Sequence, residues 1–156
     1  MEQALEKIQN TPFELALTQY GIYEWAGSED NPRILKFFSG IPDVTSDILK
    51  DSTAWCSAFV HWCMVNTKRP STRSLMARSW LSIGEETQAP ILGDLVIFWR
   101  GKIESPWGHV GFFVNQTVDG RVWCLGGNQK NQVSIKSYAP SRVLGFRKMP
   151  AAVSSL

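Results

Sequence analysis

Cys56 and His109 are the side chains whose type and setting best suit nucleophilic catalysis, and they have few rivals in a chain with three cysteines and two histidines. A thiolate attacks carbonyl carbon, and an adjacent imidazole that takes its proton turns a weak thiol into a strong nucleophile. Cys56 stands in the apolar run "AWCSAFVHWC", which is expected to be helical from about Ala54 to Asn66 with Asp51, Ser52 or Thr53 as its cap. Cys56 then falls near the third helical position, where unpaired backbone N–H groups and the positive end of the helix dipole lower a thiol pKa. Cys63 and Cys124 have no such placement, and Cys63, two turns deeper on nearly the same stripe, reads as core.

His61 lies five residues beyond Cys56, which turns it about 140° away on a helix, so it is read as a surface or packing residue. His109 opens "HVGFFVN" directly after "SPWG", where a loop ends and a strand begins. A third polar group should accept the other imidazole N–H. The following strand, "RVWCLGG", runs back beside the first, so Asn128 is the expected acceptor and Gln129 the alternative. Asp94, after Gly93 at a strand start, reads as a turn residue. The absence of any Cys-x-x-Cys pair speaks against a zinc site.

These groups need a scaffold of two kinds. Thr11-Pro12-Phe13-Glu14 is a capping box that predicts a helix from Pro12 to about Tyr20, closed by Gly21. Asn31-Pro32 opens a short helix through Phe38 that Gly40 ends. The Cys56 helix is apolar nearly all round, as a covered central helix is, and "STRSLMARSWLSIG" predicts one more helix ending at Gly84. The pattern then changes to period two: "GDLVIFWRG", "HVGFFVN", "RVWCLGG", "QVSIKSY" and "RVLGFRK" predict about five antiparallel strands, with Asp119-Gly120 a hairpin turn. Helices over about 1–84 followed by a sheet over about 92–149 make an α+β fold in a single domain of 156 residues.

Composition narrows the class. A net charge of +2, with no basic run interleaved with aromatics, gives no nucleic-acid footprint. No apolar run reaches the length of a membrane span, and the N-terminus lacks the pattern of a secretory signal, so the chain is expected to be made in the cytoplasm and exported, if at all, by another system. Among seven tryptophans, Trp55 and Trp107 flank the two candidate residues and are expected, with Gln129, to contact substrate.

Taken in order, "WCSAFVHWC", "GDLVIFWRG", "GHVGFFV" and "LGGNQ" resemble the CHAP and NlpC/P60 group of papain-like cysteine amidases and peptidases over roughly residues 20–150. The resemblance implies a papain-like fold, cleavage of amide bonds in peptidoglycan, and no metal or organic cofactor. By position it implies Cys56 as nucleophile, His109 as base and Asn128 as the third residue. With no secretory signal, the preferred reading is a lytic enzyme delivered as an antibacterial toxin, with an immunity protein as partner, or as a phage lysin acting with a holin. Two other readings stay open on the residues: a papain-like hydrolase of a cytoplasmic peptide, and a non-catalytic module that binds wall peptides.

Overall fold

A computed structural model describes residues 10–153; residues 1–9 and 154–156, which the sequence reading assigns to the same domain, lie outside the described residues. Helix α1 (Pro12–Thr18) starts on Thr11, whose Oγ1 accepts from the Glu14 N–H at 3.2 Å, and Gly21 leaves it with φ +89°. Helix α2 (Pro32–Leu35) starts on Asn31, whose Oδ1 accepts from the Arg33 N–H at 3.0 Å, and it tightens into a 3-10 turn over Lys36–Phe38. Helix α3 (Cys56–Val65) carries the candidate thiol as its first residue.

Two helical expectations are corrected. Among the described residues no side chain caps α3: Asp51 accepts instead from the N–H groups of Trp25 and Asn31, both at 2.8 Å, and the Thr53 hydroxyl donates to the Ile48 carbonyl. The stretch from Ser71 to Gly84 is not one helix but a 3-10 segment over Ala77–Ser82. The Ser71 and Ser74 hydroxyls accept from the N–H groups of Arg73 and Met76, local bonds that compete with a helical ladder, and Arg73 adopts φ +52°.

Among the described residues the sheet has six antiparallel strands: β1 (Glu86–Thr87), β2 (Leu95–Trp99), β3 (Gly108–Gln116), β4 (Val122–Gly126), β5 (Ser134–Tyr138) and β6 (Val143–Arg147). Their order is β1-β6-β2-β3-β4-β5. The five expected strands are all present, and the sixth, β1, is a two-residue pairing on β6. Helix α3 packs on β3 and β4, and between helices and sheet lies the main core, with Phe37, Phe59, Met64, Phe112 and Leu125 among its buried members. The chain is therefore α+β, as expected.

Two glycines at the end of β4, Gly126 within it and Gly127 just after, draw this sheet onto the start of α3. A Cβ at Gly127 would lie 2.6 Å from the Trp55 ring and 2.8 Å from the Phe59 Cβ, so only glycine lets the turn press this close. At Gly126 a Cβ would lie 2.9 Å from Gln129 Oε1 and 3.1 Å from His109 Nε2, within the space where those two groups meet.

Candidate active site

Cys56 begins an uncapped helix, which leaves the N–H groups of the first turn without a side-chain acceptor. The sulfur also faces the backbone N–H of Val110, the residue that follows His109 on β3. The thiol is nonetheless 4% exposed, and burial pushes its pKa up. The Val110 N–H, the Arg100 charge and the N–H groups of Ser57 and Cys56 pull the other way without overcoming burial. The expected depressed thiol pKa is thus corrected: helix-terminal dipoles act locally, whereas desolvation comes from the sheet packed across the helix start.

His109 pairs with Phe98 in the β2–β3 ladder and is 4% exposed. Its Nε2 lies 3.0 Å from Gln129 Oε1. The roles in this bond follow from the other contacts of the amide. Gln129 Nε2 donates to the carbonyls of Ser134 at 2.7 Å and Cys124 at 3.2 Å, which fixes the amide orientation and makes Oε1 the acceptor. The imidazole therefore carries its proton on Nε2, and Nδ1 is the basic nitrogen. The Tyr138 hydroxyl donates to the same Oε1 at 2.9 Å, and its ring stacks with those of His109 and Phe98 at centroid separations of 5.4 and 4.3 Å.

Asn128, expected as the third residue, makes no hydrogen bond to His109 among the described residues; Gln129, the alternative, does. The chain leaves the strand at Gly126 and Asn128 turns left-handed at φ +58°, so the alternation of the pleat does not continue to it. Asn128 still lines the cavity that His109 and Gln129 open onto. Trp55 has 0% exposure, with its ring stacked on Phe37 and its Nε1 donating to Glu24 at 2.8 Å. It therefore offers a substrate no surface and fixes the helix start instead. Gln129, 2% exposed, likewise offers a substrate little surface and bonds His109 instead.

Trp107 is 63% exposed and lines a cavity of about 380 Å³ with Cys56, Leu75, Met76 and Ala77. Arg78 holds the loop that bears it, donating to the carbonyls of Trp107 at 2.8 Å and Ile103 at 2.9 Å. A second, polar cavity of about 520 Å³ holds His109, and the two meet at Ala54 and Arg100. His61 is buried with its ring nitrogens bound to Ser71 Oγ and the Ser39 carbonyl, and Asp94 accepts from the N–H groups of Ile91 and Met149. Both thus play the structural parts read for them, although His61 is interior rather than on the surface. Sequence reasoning missed Tyr138, Arg100 and the Val110 N–H; the alternation of β5 and the residue next to His109 were the only signals available for them.

His109 has its pKa lowered to about 4, first by burial and then by the charges of Arg100, Lys136 and Arg142, with the Gln129 bond opposing. Thiol and imidazole are accordingly neutral at rest near pH 7, rather than a thiolate–imidazolium pair. A group whose folded pKa lies below its unfolded value of about 6.5 contributes stability above that value and loses it as pH falls. The melting temperature is expected to drop by several degrees between pH 6.5 and about 4, and less in a His109→Gln variant. Equal pH slopes in the two proteins would refute this burial of a neutral imidazole.

The CHAP domain family model matches residues 49–128, just over half of the chain. The match contains Cys56, His109 and Asn128 and ends one residue before Gln129. No curated protein matches the chain.

Proposed function

The chain belongs to the CHAP domain family, and from that membership and the Cys56–His109–Gln129 arrangement we propose that it is a cysteine hydrolase of amide bonds in bacterial peptidoglycan, an amidase or endopeptidase. The observation that carries the catalytic reading is the Gln129 bond to His109 Nε2, because it leaves Nδ1 free to act as the base, one residue before the Val110 N–H that the Cys56 sulfur faces.

In this mechanism Nδ1 takes the Cys56 proton as sulfur attacks the carbonyl carbon, and the carbonyl π pair moves onto oxygen. N–H groups at the uncapped start of α3 face the resulting oxyanion. Collapse breaks the C–N bond while the imidazolium protonates the leaving amine, giving a thioester. Water then attacks the thioester with its proton passing to Nδ1, and the second collapse releases the carboxylic acid and returns the thiol. Since the imidazole begins neutral, cleavage is expected to persist well below pH 6 and to fail as pH drops through about 4.

As a lytic enzyme it would act in the periplasm or wall after export by another system. A secreted antibacterial toxin held in check by an immunity protein, or a phage lysin released through a holin pore, would each use such an activity. Incubating the purified chain with sacculi and analysing the soluble muropeptides by mass spectrometry tests the reading. The expected products carry a new amine and a new carboxyl at one amide bond; intact sacculi, or products cut only in the glycan, would overturn it.

A further inference from the structure

The two cavities that meet at Arg100 differ sharply in chemistry. The thiol side presents Leu75, Met76 and Trp107, all apolar. Among the described residues the imidazole side presents Arg100, Lys130, Lys136 and Arg142 against a single carboxylate, Glu24, whose Oε1 already accepts from the Trp55 indole. Arg142 is held rigidly: Nε and Nη2 both donate to the Trp99 carbonyl, at 3.2 and 2.9 Å, and its guanidinium lies 4.8 Å over the Trp99 ring. Lys136 stands 5.3 Å over the Tyr138 ring, beside the group that steadies Gln129.

The direction of the reaction assigns these cavities. The amine that leaves must lie at the imidazole that protonates it, so the leaving portion occupies the cationic cavity and the acyl portion the apolar one. We infer that Arg100, Lys136 and Arg142 form a carboxylate subsite, and that the preferred amide is one whose leaving residue bears a carboxylate close to the scissile nitrogen. This inference rests on the hydrolase reading. Three cations around one cavity repel one another, and a bound carboxylate relieves that repulsion while making bidentate bonds with a guanidinium. The same three charges disfavour the imidazolium, so a carboxylate seated among them makes His109 a better base when substrate is present. Asn128, Lys130 and Asn131, which line this cavity, all hold left-handed backbone conformations, at φ +58°, +54° and +62°. Asparagine adopts this conformation readily, so the cost falls on Lys130, and such outliers gather where a binding surface needs them.

The test uses two synthetic peptides that differ only in the leaving residue, which ends in a free α-carboxylate in one and a carboxamide in the other. Binding is measured by NMR titration of the Cys56→Ala protein, and turnover with the unsubstituted enzyme. The carboxylate peptide is expected to bind about tenfold more tightly and to have a kcat/KM at least about tenfold higher. An Arg100→Gln/Lys136→Gln variant should narrow both differences to within about threefold, as should raising the salt concentration. Equal binding of the two peptides, or a preference that survives in the double variant, would overturn the subsite. Tighter binding of the carboxylate peptide with neither peptide cut and sacculi left intact would refute the hydrolase reading and leave the subsite standing.

Discussion

Cys56→Ala is expected to reduce amide cleavage at least about a thousandfold, and His109→Ala to do nearly the same. The double variant should be no worse than either single one. The reason lies in how the two groups depend on each other. With burial raising the thiol pKa and lowering that of the imidazole, neither group is charged at rest, so each is of use only through transfer of one proton between them. Removing either member removes the whole step, and the losses cannot add. Cys63 and Cys124 supply the control. Both are fully buried, and Cys63 lies two turns along α3, away from the cavities. Cys63→Ala should cost roughly 1 kcal/mol of stability through a small void while leaving kcat within about threefold. Rates of peptidoglycan solubilisation, normalised to folded protein by circular dichroism, decide the matter: a Cys56→Ala protein that keeps wild-type rates would remove the nucleophile from the mechanism.

Much of this arrangement is legible in the sequence, and the limits of that legibility have physical causes. Short apolar or alternating runs bounded by turn residues predict β2 to β6 because each of these strands is at least five residues long, whereas β1 has two residues and no pattern to read. The capping oxygens of Thr11 and Asn31 act within three residues, so sequence suffices to find them. Asp51 fails as a cap for α3 because its carboxylate is taken by N–H groups twenty and twenty-six residues away. The same division runs through the site. That Cys56 starts a helix is a local fact; that its thiol is pushed up rather than down is a tertiary one, set by the sheet that covers it. Trp55 looked like a cleft residue from its neighbour in sequence, but Phe37 and Gly127 close over it.

The residue that orients His109 is the finest such distinction, and it carries the second large effect. Gln129→Ala is expected to lower kcat about a hundredfold or more, whereas Asn128→Ala should leave it within about threefold. Gln129 makes contacts that a methyl cannot: it accepts from His109 and Tyr138 and donates to the Ser134 and Cys124 carbonyls. Without it the imidazole loses the acceptor that keeps its proton on Nε2, and two buried carbonyls lose a donor, which adds roughly 1 to 3 kcal/mol of destabilisation. Gln129→Glu separates orientation from charge. A carboxylate at this position can still accept from Nε2 and favours the imidazolium, so the acid limb of kcat/KM should move upward from about 4. The same variant cannot donate to Ser134 or Cys124, so its melting temperature should fall as that of Gln129→Ala does. Asn128→Ala has a different signature, because alanine tolerates the left-handed φ of +58° less well than asparagine: stability falls by about 1 kcal/mol while the pH profile stays in place. If Asn128→Ala proved the more damaging to kcat, or if the acid limb ignored Gln129→Glu, the imidazole would be oriented from position 128, as the strand register alone suggests.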